Sequence, residues 1–346
     1  MTGLTSLKIV NTGMITPIGA NTAMTEAAIR AGISGQRIAA LYETPLSRIN
    51  MAIVPTEALP YLKVDLLRNL SVNARQARLL RLADAALDDD HLKINLKELT
   101  VPPPLFLAGP EPLPGEVLPM RSAFIKNLQT QTGFAFDLEL SKVFPMGRAA
   151  SFYALQSAFE TLEHSEHDFV LLGGVDSYWH QMTLAQLARQ ERLNSEKNSM
   201  DAFVASEAAA FLLLTKNESF QNARKIYRPG ISEESGHRYS DDPYLGDGLA
   251  QAFRTAIYNA QGANIQSVYS SHNGESFSSK EFGVAMIRSN DDLGEHCTHE
   301  HPVDCLGDVG AAIGPILLAL SSIQNRNATL CYGASDDEFR GAACVV

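Results

Sequence analysis

The chain repeats one order of elements, and this repeat constrains its fold more than any other feature. In the first copy, the small residues GRAA at 147–150 open a predicted helix, and two apolar segments, FVLLGGVDS and SEAAAFLLL, follow as predicted strands. In the second copy, GAA at 310–312 opens a helix, and TLCYGAS and RGAACVV follow. Small residues at a helix start let a neighbouring backbone approach closely. The repeat favours a duplicated α/β architecture over an unrepeated series of helices and strands.

Strand-like and helix-like patterns alternate along the rest of the chain. Such alternation is typical of parallel sheets whose faces are covered by helices. We therefore predict an N-terminal half at residues 1–225 and a C-terminal half at residues 226–346. The apolar patterns predict strands at 8–12, 105–108, 169–172 and 211–214, a turn at 173–174, and helices at 22–31, 75–87, 149–162 and 310–323.

The composition argues against several classes of function. The 346 residues have a formal net charge of -11, which disfavours binding to nucleic acid or to an anionic membrane. No apolar run approaches the roughly 18 residues that span a bilayer, and the N-terminus lacks the pattern of a signal peptide. All four cysteines lie in the last fifth of the chain, unlike those of a disulfide framework. These features predict a cytoplasmic, enzyme-like globule.

Five segments, taken in order, resemble those of a known family. They correspond to an opening strand and turn, a small-residue loop, a buried strand, a segment with a Gly-Glu-Gly-Ala pattern and a late Gly-Ala helix start. The segments are KIVNTGMITPIGAN, AGISGQ, HDFVLLGGVDS, MDAFVASEAAAFLLL and LGDVGAAIGPILLAL. In this order they resemble the β-ketoacyl synthases of the thiolase superfamily, from residue 7 to the C-terminus, most weakly over 40–65, 85–145 and 217–265.

The resemblance implies a thiolase-like α/β fold, in which two βαβαβαββ halves form five layers (αβαβα). It also implies a homodimer and decarboxylative carbon–carbon bond formation on acyl thioesters, without a cofactor. In the family a Cys nucleophile sits at a buried helix N-terminus, where the helix dipole stabilises its thiolate. Two His residues, or a His and an Asn, stabilise the thioester oxyanion and promote decarboxylation.

The nucleophile position holds a residue that cannot attack a thioester. Anchoring the segment VFPMGRAASFYALQSA on Ser151 and the residues after it puts Arg148 at the Cys position. Gly147 is the neighbour that would take this position if the alignment moved by one residue. Ser151 has no adjacent base, so we predict that it packs against another helix. The first cysteine of the chain is Cys297, so the N-terminal half has no alternative thiol.

The family's other polar positions have changed as well. His272 stands at the position of the first His, either as a retained pocket residue or, as we favour, as a loop histidine, and 273–275 after it predict a turn. Asp308 replaces the second His, and Val303 replaces a Lys. An ionised aspartate cannot donate to an oxyanion, although it can cap the helix that follows. Glu207 retains the Glu of the Gly-Glu-Gly-Ala pattern.

These substitutions predict a buried ion pair in a vestigial pocket. A helix N-terminus already has partial positive charge, so a buried Arg148 there needs a carboxylate partner. In the family fold the two helix starts face each other, which makes Asp308 the predicted partner and Glu207 the reserve. No catalytic residue of the family is then intact.

Two further clusters have alternative interpretations. Arg68, Arg75, Arg78 and Arg81 recur at helical spacing and could form a basic surface for an acidic acyl carrier protein, but we favour a solvated helix face. The segment EHCTHEHPVDC could bind zinc, but its spacing fits no standard zinc finger, and we favour a polar loop and predict no metal. The candidate zinc ligands are His296, Cys297, His299, His301 and Cys305.

Three functions remain open at this point. In the first, the chain is a catalytically defective ketosynthase-like protein that binds a partner, as an adaptor or chaperone. Some bacterial gene clusters, including those of secretion systems, carry ketosynthase-like proteins of this kind. Alternatively, it is an active acyltransferase with relocated catalytic residues, or a non-catalytic subunit that pairs with an active ketosynthase.

Overall fold

The computed structural model describes residues 3–44, 47–323 and 328–346. The strands are β1 (Ser6–Ile15), β2 (Arg37–Thr44), β3 (Ser47–Ala52), β4 (Leu105–Ala108), β5 (Lys142–Phe144), β6 (Phe169–Ser177), β7 (Ala205–Thr215), β8 (Lys225–Tyr227), β9 (Gly230–Glu233), β10 (Ile265–Tyr269), β11 (Leu293–Glu300), β12 (Ala328–Ala334) and β13 (Phe339–Val345). The helices are α1 (Thr22–Arg30), α2 (Val64–Leu67), α3 (Ala74–Leu87), α4 (Asp90–Glu98), α5 (Ala123–Thr132), α6 (Ala150–His164), α7 (Gln181–Arg189), α8 (Asp247–Asn259), α9 (Ser276–Arg288), α10 (Val303–Leu306) and α11 (Ile313–Ile323).

The two halves share one strand order. In the first half the order is β5-β4-β6-β7-β1, and in the second it is β11-β10-β12-β13-β9. In each half the last strand in sequence, β7 or β13, runs antiparallel to both of its neighbours. The other pairs, such as β4 with β6 and β10 with β12, are parallel. The internal repeat seen in the sequence is therefore a repeat of topology.

Strand β8 links the two halves into one continuous sheet. It pairs with β1 on one side and with β13 on the other. The predicted division between residues 225 and 226 falls within this strand and stays a prediction.

Alternating side chains along β7 show how the layers stack. Ala208, Ala210 and Leu212 face the central core with α6 and α11, whereas Phe211 and Leu213 face α3, α4 and α5. Strand β13 divides in the same way between the central helices and α8. The order of layers is helix, sheet, helix, sheet, helix, which confirms the predicted thiolase-like α/β fold. Among the described residues, no helix is long and apolar enough to cross a bilayer.

The predicted turn at Gly173 and Gly174 was wrong, because β6 continues through both residues to Ser177. Their lack of a side chain serves close packing instead. A Cβ on Gly173 would lie 2.3 Å from a ring carbon of Phe211, and one on Gly174 would lie 2.7 Å from the carbonyl oxygen of Ala311. The glycine pair therefore makes room for β7 and for the start of α11.

Candidate functional site

The starts of the two central helices meet in the middle of the molecule. Each of α6 and α11 is preceded by one 3-10 turn, at Gly147–Ala149 and Gly310–Ala312. Both glycines have a positive φ, 63° at Gly147 and 53° at Gly310, which residues with a side chain rarely adopt. A Cβ at Gly310 would also lie 2.0 Å from a carboxylate oxygen of Asp176. Small residues therefore let the two turns approach each other, as the family resemblance implied.

Arg148 and Asp308 form the predicted ion pair at this meeting point. Nε of Arg148 donates to Oδ2 of Asp308 at 3.0 Å, and Nη2 donates to the same oxygen. Arg148 is 3% exposed and Asp308 is 1% exposed. Asp308 also accepts the N–H of Gly310 at 2.9 Å, so it caps the turn before α11 as well. One carboxylate thus fulfils both roles that the sequence suggested for it.

The pair belongs to a larger buried network that the sequence analysis missed. Arg192 forms two parallel hydrogen bonds of 2.8 Å with Glu275 and also donates to Asp336 at 2.7 Å. Nη1 of Arg148 lies 3.2 Å from the same Asp336. The network so far joins two arginines and three carboxylates, counting Asp308.

Arg238 and Asn273 also belong to the network. Arg238 lies 3.0 Å from Glu275 and 3.2 Å from Asp336, which brings the network to three arginines and three carboxylates. The amide of Asn273 donates to Glu275 and to Asp308, each at 2.9 Å. Buried charges are tolerated when they are paired and hydrogen-bonded in this way. The network therefore contains a balanced set of charges.

Neighbouring charges hold Asp336 and Arg148 in their charged forms. Burial alone would raise the pKa of Asp336, but Arg192, Arg148 and Arg238 together hold it far below its usual value. Burial also disfavours the cation of Arg148. The neighbouring negative charges, chiefly that of Asp308, nevertheless raise the pKa of Arg148 well above its usual value. Neither group is available as an acid or a base near neutral pH.

A small cavity lies beside the pair. It is lined in part by Glu111, Gly147, Asp176 and Tyr178 and has room for roughly one water molecule. Burial, and next to it the charge of Asp336, raises the pKa of Glu111 to about 8. An acyl thioester does not fit into this space without rearrangement of the network.

The raised pKa of Glu111 predicts a pH-dependent stability. A carboxyl with a raised pKa in the folded state keeps its proton longer there, so stability falls as the pH rises from about 4.3, its unfolded pKa, towards 8. Glu111→Gln retains an oxygen that can accept from the Asp336 N–H. We expect this variant to lose less stability than the wild type between about pH 5 and about pH 8, measured by urea unfolding. The exposed Glu98→Gln should follow the wild type, and a shared profile for all three proteins would contradict the assignment.

Glu207 lies in a second buried ion pair and not beside Arg148. Its carboxylate accepts from Nε of Arg78 at 3.0 Å, from Oγ of Ser177 at 2.7 Å and from the N–H of Val54 at 3.0 Å. Glu207 is 0% exposed. Glu207, the reserve partner in the prediction, therefore pairs with Arg78, whereas Arg148 pairs with Asp308.

This pair also corrects the interpretation of the arginine row. Arg75 and Arg78 are 7% and 8% exposed, because α3 packs these side chains towards the sheet and not towards solvent. Arg81 is half-buried and donates to the carbonyl of Pro60 at 2.7 Å. Of the four, Arg68 alone is exposed. The row is neither a solvated face nor a continuous basic surface.

His272 lies next to the network but is not hydrogen-bonded to it in the described part of the chain. Its Nε2 lies 2.6 Å from Oγ of Ser279. Burial and the neighbouring His301 lower the pKa of His272. The predicted turn after it is present, with Gly274 at a φ of 96°, and Glu275 precedes α9. The sequence analysis therefore singled out His272, whereas the turn residues Asn273 and Glu275 are the ones that belong to the network.

The remaining candidates have structural positions. Ser151 is buried on α6. Its Oγ occupies the space where a Cβ on Gly314 of α11 would sit, so it packs against another helix as predicted. The candidate zinc ligands lie along β11 and around α10. Among the described residues, His296, Cys297, His299, His301 and Cys305 do not bring three ligand atoms together.

Comparison with known proteins agrees with this architecture. Residues 147–219, which include Arg148 and Glu207, match the sequence model of the family described as β-ketoacyl synthase, N-terminal domain. A structure described as the ishigamide ketosynthase/chain length factor is 15% identical, with a TM-score of 0.74, and the match covers 99% of both chains.

Two further structures are similar over most of their lengths. A ketosynthase in complex with its chain length factor from Xenorhabdus doucetiae is 15% identical, with a TM-score of 0.73, over 99% of this chain and 98% of that chain. The ketosynthase from module 6 of the bacillaene synthase of Bacillus subtilis 168 is 12% identical, with a TM-score of 0.76, over 98% of this chain and 72% of that chain. Residues 147–219 therefore match the N-terminal domain of the β-ketoacyl synthases, and the chain as a whole shares the fold of these ketosynthase structures.

Proposed function

We propose that this chain is a ketosynthase-like protein that does not condense acyl thioesters and acts by binding a partner protein. The observation that supports this most is the buried pair of Arg148 and Asp308. These residues stand where the family resemblance places the nucleophile and an oxyanion-binding histidine. A guanidinium has no lone pair to attack a carbonyl, and an ionised carboxylate repels an oxyanion.

Relocated catalysis is the alternative, and the surroundings of the polar residues argue against it. Asp308 and Glu207 each form a buried ion pair with an arginine, and either carboxylate would have to break that pair to contact a substrate. His272 is hydrogen-bonded to Ser279 outside the network.

The cysteines are also poor nucleophiles. Burial raises the pKa of Cys331 to about 12, and it raises the pKa of Cys344 further. Burial raises the pKa of Cys297 and Cys305 as well. The reactive form of cysteine is the thiolate, which all four environments disfavour.

A condensation assay tests the proposed loss of activity. We expect no ketoacyl product and no carbon dioxide release when the protein is mixed with acyl and malonyl thioesters, on either a carrier protein or a pantetheine arm. An active ketosynthase under the same conditions serves as the positive control. Turnover above the no-enzyme rate that persists in Arg148→Ala would support relocated catalysis instead.

Assembly with a second chain is the next part of the proposal. Strand β5 is the edge of the first half, and in the described part of the chain it pairs only with β4. An unpaired edge strand can continue a sheet into another chain. The second chain is a copy of this protein, or an active ketosynthase for which this chain is the non-catalytic subunit. Two of the similar structures are described as pairs of a ketosynthase and a chain length factor.

Light scattering distinguishes these arrangements. We expect the mass of a homodimer at micromolar concentration, because an exposed edge strand favours pairing. A monomer across the concentration series would contradict the homodimer and favour a heteromer. Mass spectrometry of proteins that co-purify from the native cytoplasm then identifies the partner, including an acyl carrier protein if one binds.

A further inference from the structure

Three metal-ligating side chains come together outside the Arg148 network. They are His237, Asp337 and Glu338, and one ligand atom from each lies within 4.8 Å of the other two. Nδ1 of His237 is 3.3 Å from an Oδ1 of Asp337. All three side chains are half-buried, so the group is fixed on the protein side and open to solvent on the other.

The backbone around these side chains is held by hydrogen bonds. The N–H of Asp337 donates to the carboxyl group of Glu111 at 3.4 Å. The carbonyl of Glu338 accepts from the N–H of Glu234 at 2.8 Å, and the carbonyl of His237 accepts from Ser240 at 3.0 Å. The three side chains therefore project from anchored turns, one before α8 and one between β12 and β13.

The charges around the group are unbalanced, unlike those of the network. Asp336, the residue before Asp337, has three arginine partners, and Glu281 has Arg340. In the described part of the chain, neither Asp337 nor Glu338 has a lysine or arginine within ion-pair distance; Asp337 has only His237. A cation between the carboxylates would remove their repulsion.

We infer that His237, Asp337 and Glu338 form a binding site for a divalent transition-metal ion such as Zn²⁺. One imidazole nitrogen and two carboxylate oxygens are a set of ligands that Zn²⁺ and its neighbours accept, whereas Mg²⁺ prefers oxygen ligands alone. The open side leaves positions for water. The ion would tie the β12–β13 turn, which carries Asp336, to the turn that carries Arg238.

Zinc titration of the full-length, tag-free protein tests the site. After treatment with a chelator, calorimetry should show one Zn²⁺ bound per chain, with Mg²⁺ bound at least tenfold more weakly. His237→Ala and Glu338→Gln should each weaken Zn²⁺ binding at least tenfold. His167→Ala is the matched control, because His167 faces a single carboxylate, Asp137 at 3.0 Å, and its loss should leave binding unchanged.

Other outcomes would overturn the inference. Unchanged Zn²⁺ affinity in both His237→Ala and Glu338→Gln would overturn it. Loss of binding in the double variant Cys297→Ser, His299→Ala would also overturn it, because that result would place the ion on β11. Glu338→Gln keeps the size of its side chain, so it tests the site even if His237→Ala folds poorly. Absence of any Zn²⁺ binding by the folded wild type would also reject the site.

Discussion

Replacing Arg148 with alanine is expected to lower the free energy of unfolding by about 3–5 kcal/mol. The variant leaves Asp308, which is 1% exposed, without its arginine, and it removes one of the three arginines around Asp336. A buried carboxylate without its cation must either stay charged at a high cost or take up a proton. Urea unfolding with circular dichroism measures the change.

A surface arginine and a double variant provide the controls. Arg48→Ala removes an exposed ion pair with Glu196 and should change the free energy of unfolding far less than Arg148→Ala does. Exchanging Arg148 for Cys together with Asp308 for His should give a more stable protein than either single exchange, because neither partner is left as an unpaired charge. An Arg148→Ala protein that melts with the wild type would contradict the buried pair.

Replacing Arg78 with alanine is expected to have a similar effect, a loss of about 3–5 kcal/mol. Arg78 donates to Glu207, to Oγ of Thr56 at 3.0 Å and to the carbonyl of Val54 at 2.6 Å. Among the described residues, its loss leaves the fully buried Glu207 with the Ser177 hydroxyl and the Val54 N–H as its hydrogen-bond donors.

The row of arginines supplies its own control for this prediction. Arg68→Ala changes an exposed residue of the same row and should alter the free energy of unfolding by less than about 0.5 kcal/mol. Adding Glu207→Gln to Arg78→Ala should recover part of the loss, because the unpaired charge is removed. Equal stability of Arg78→Ala and Arg68→Ala would mean that the buried pair contributes little.

The fold could be predicted from the order of elements along the chain, and the central pair from the resemblance to the β-ketoacyl synthases. The small-residue helix starts and the apolar strands after them appear twice, and their order was enough to indicate a duplicated α/β fold. The same alignment placed Arg148 and Asp308 at two helix starts that face each other. Electrostatics then required a partner for the arginine, and Asp308 is that partner.

The rest of the site could not be predicted, because its members come from segments with no recognisable pattern. Arg192 follows α7, Asp336 lies in the turn between β12 and β13, and Glu275 appeared only as part of a turn. Their convergence depends on tertiary structure. The burial of Arg78 was missed for a similar reason, since no motif links it to Glu207, which lies 129 residues further along the chain. A row of arginines at helical spacing does not reveal which face of the helix is covered.

The most direct test of the central claim is the intact mass of the protein after incubation with an acyl thioester. If Arg148 and Asp308 close the former catalytic pocket, the mass will be unchanged, while an active ketosynthase treated in parallel will gain one acyl group. A stoichiometric acyl adduct on this chain, mapped by peptide analysis to a residue of the pocket, would contradict the account.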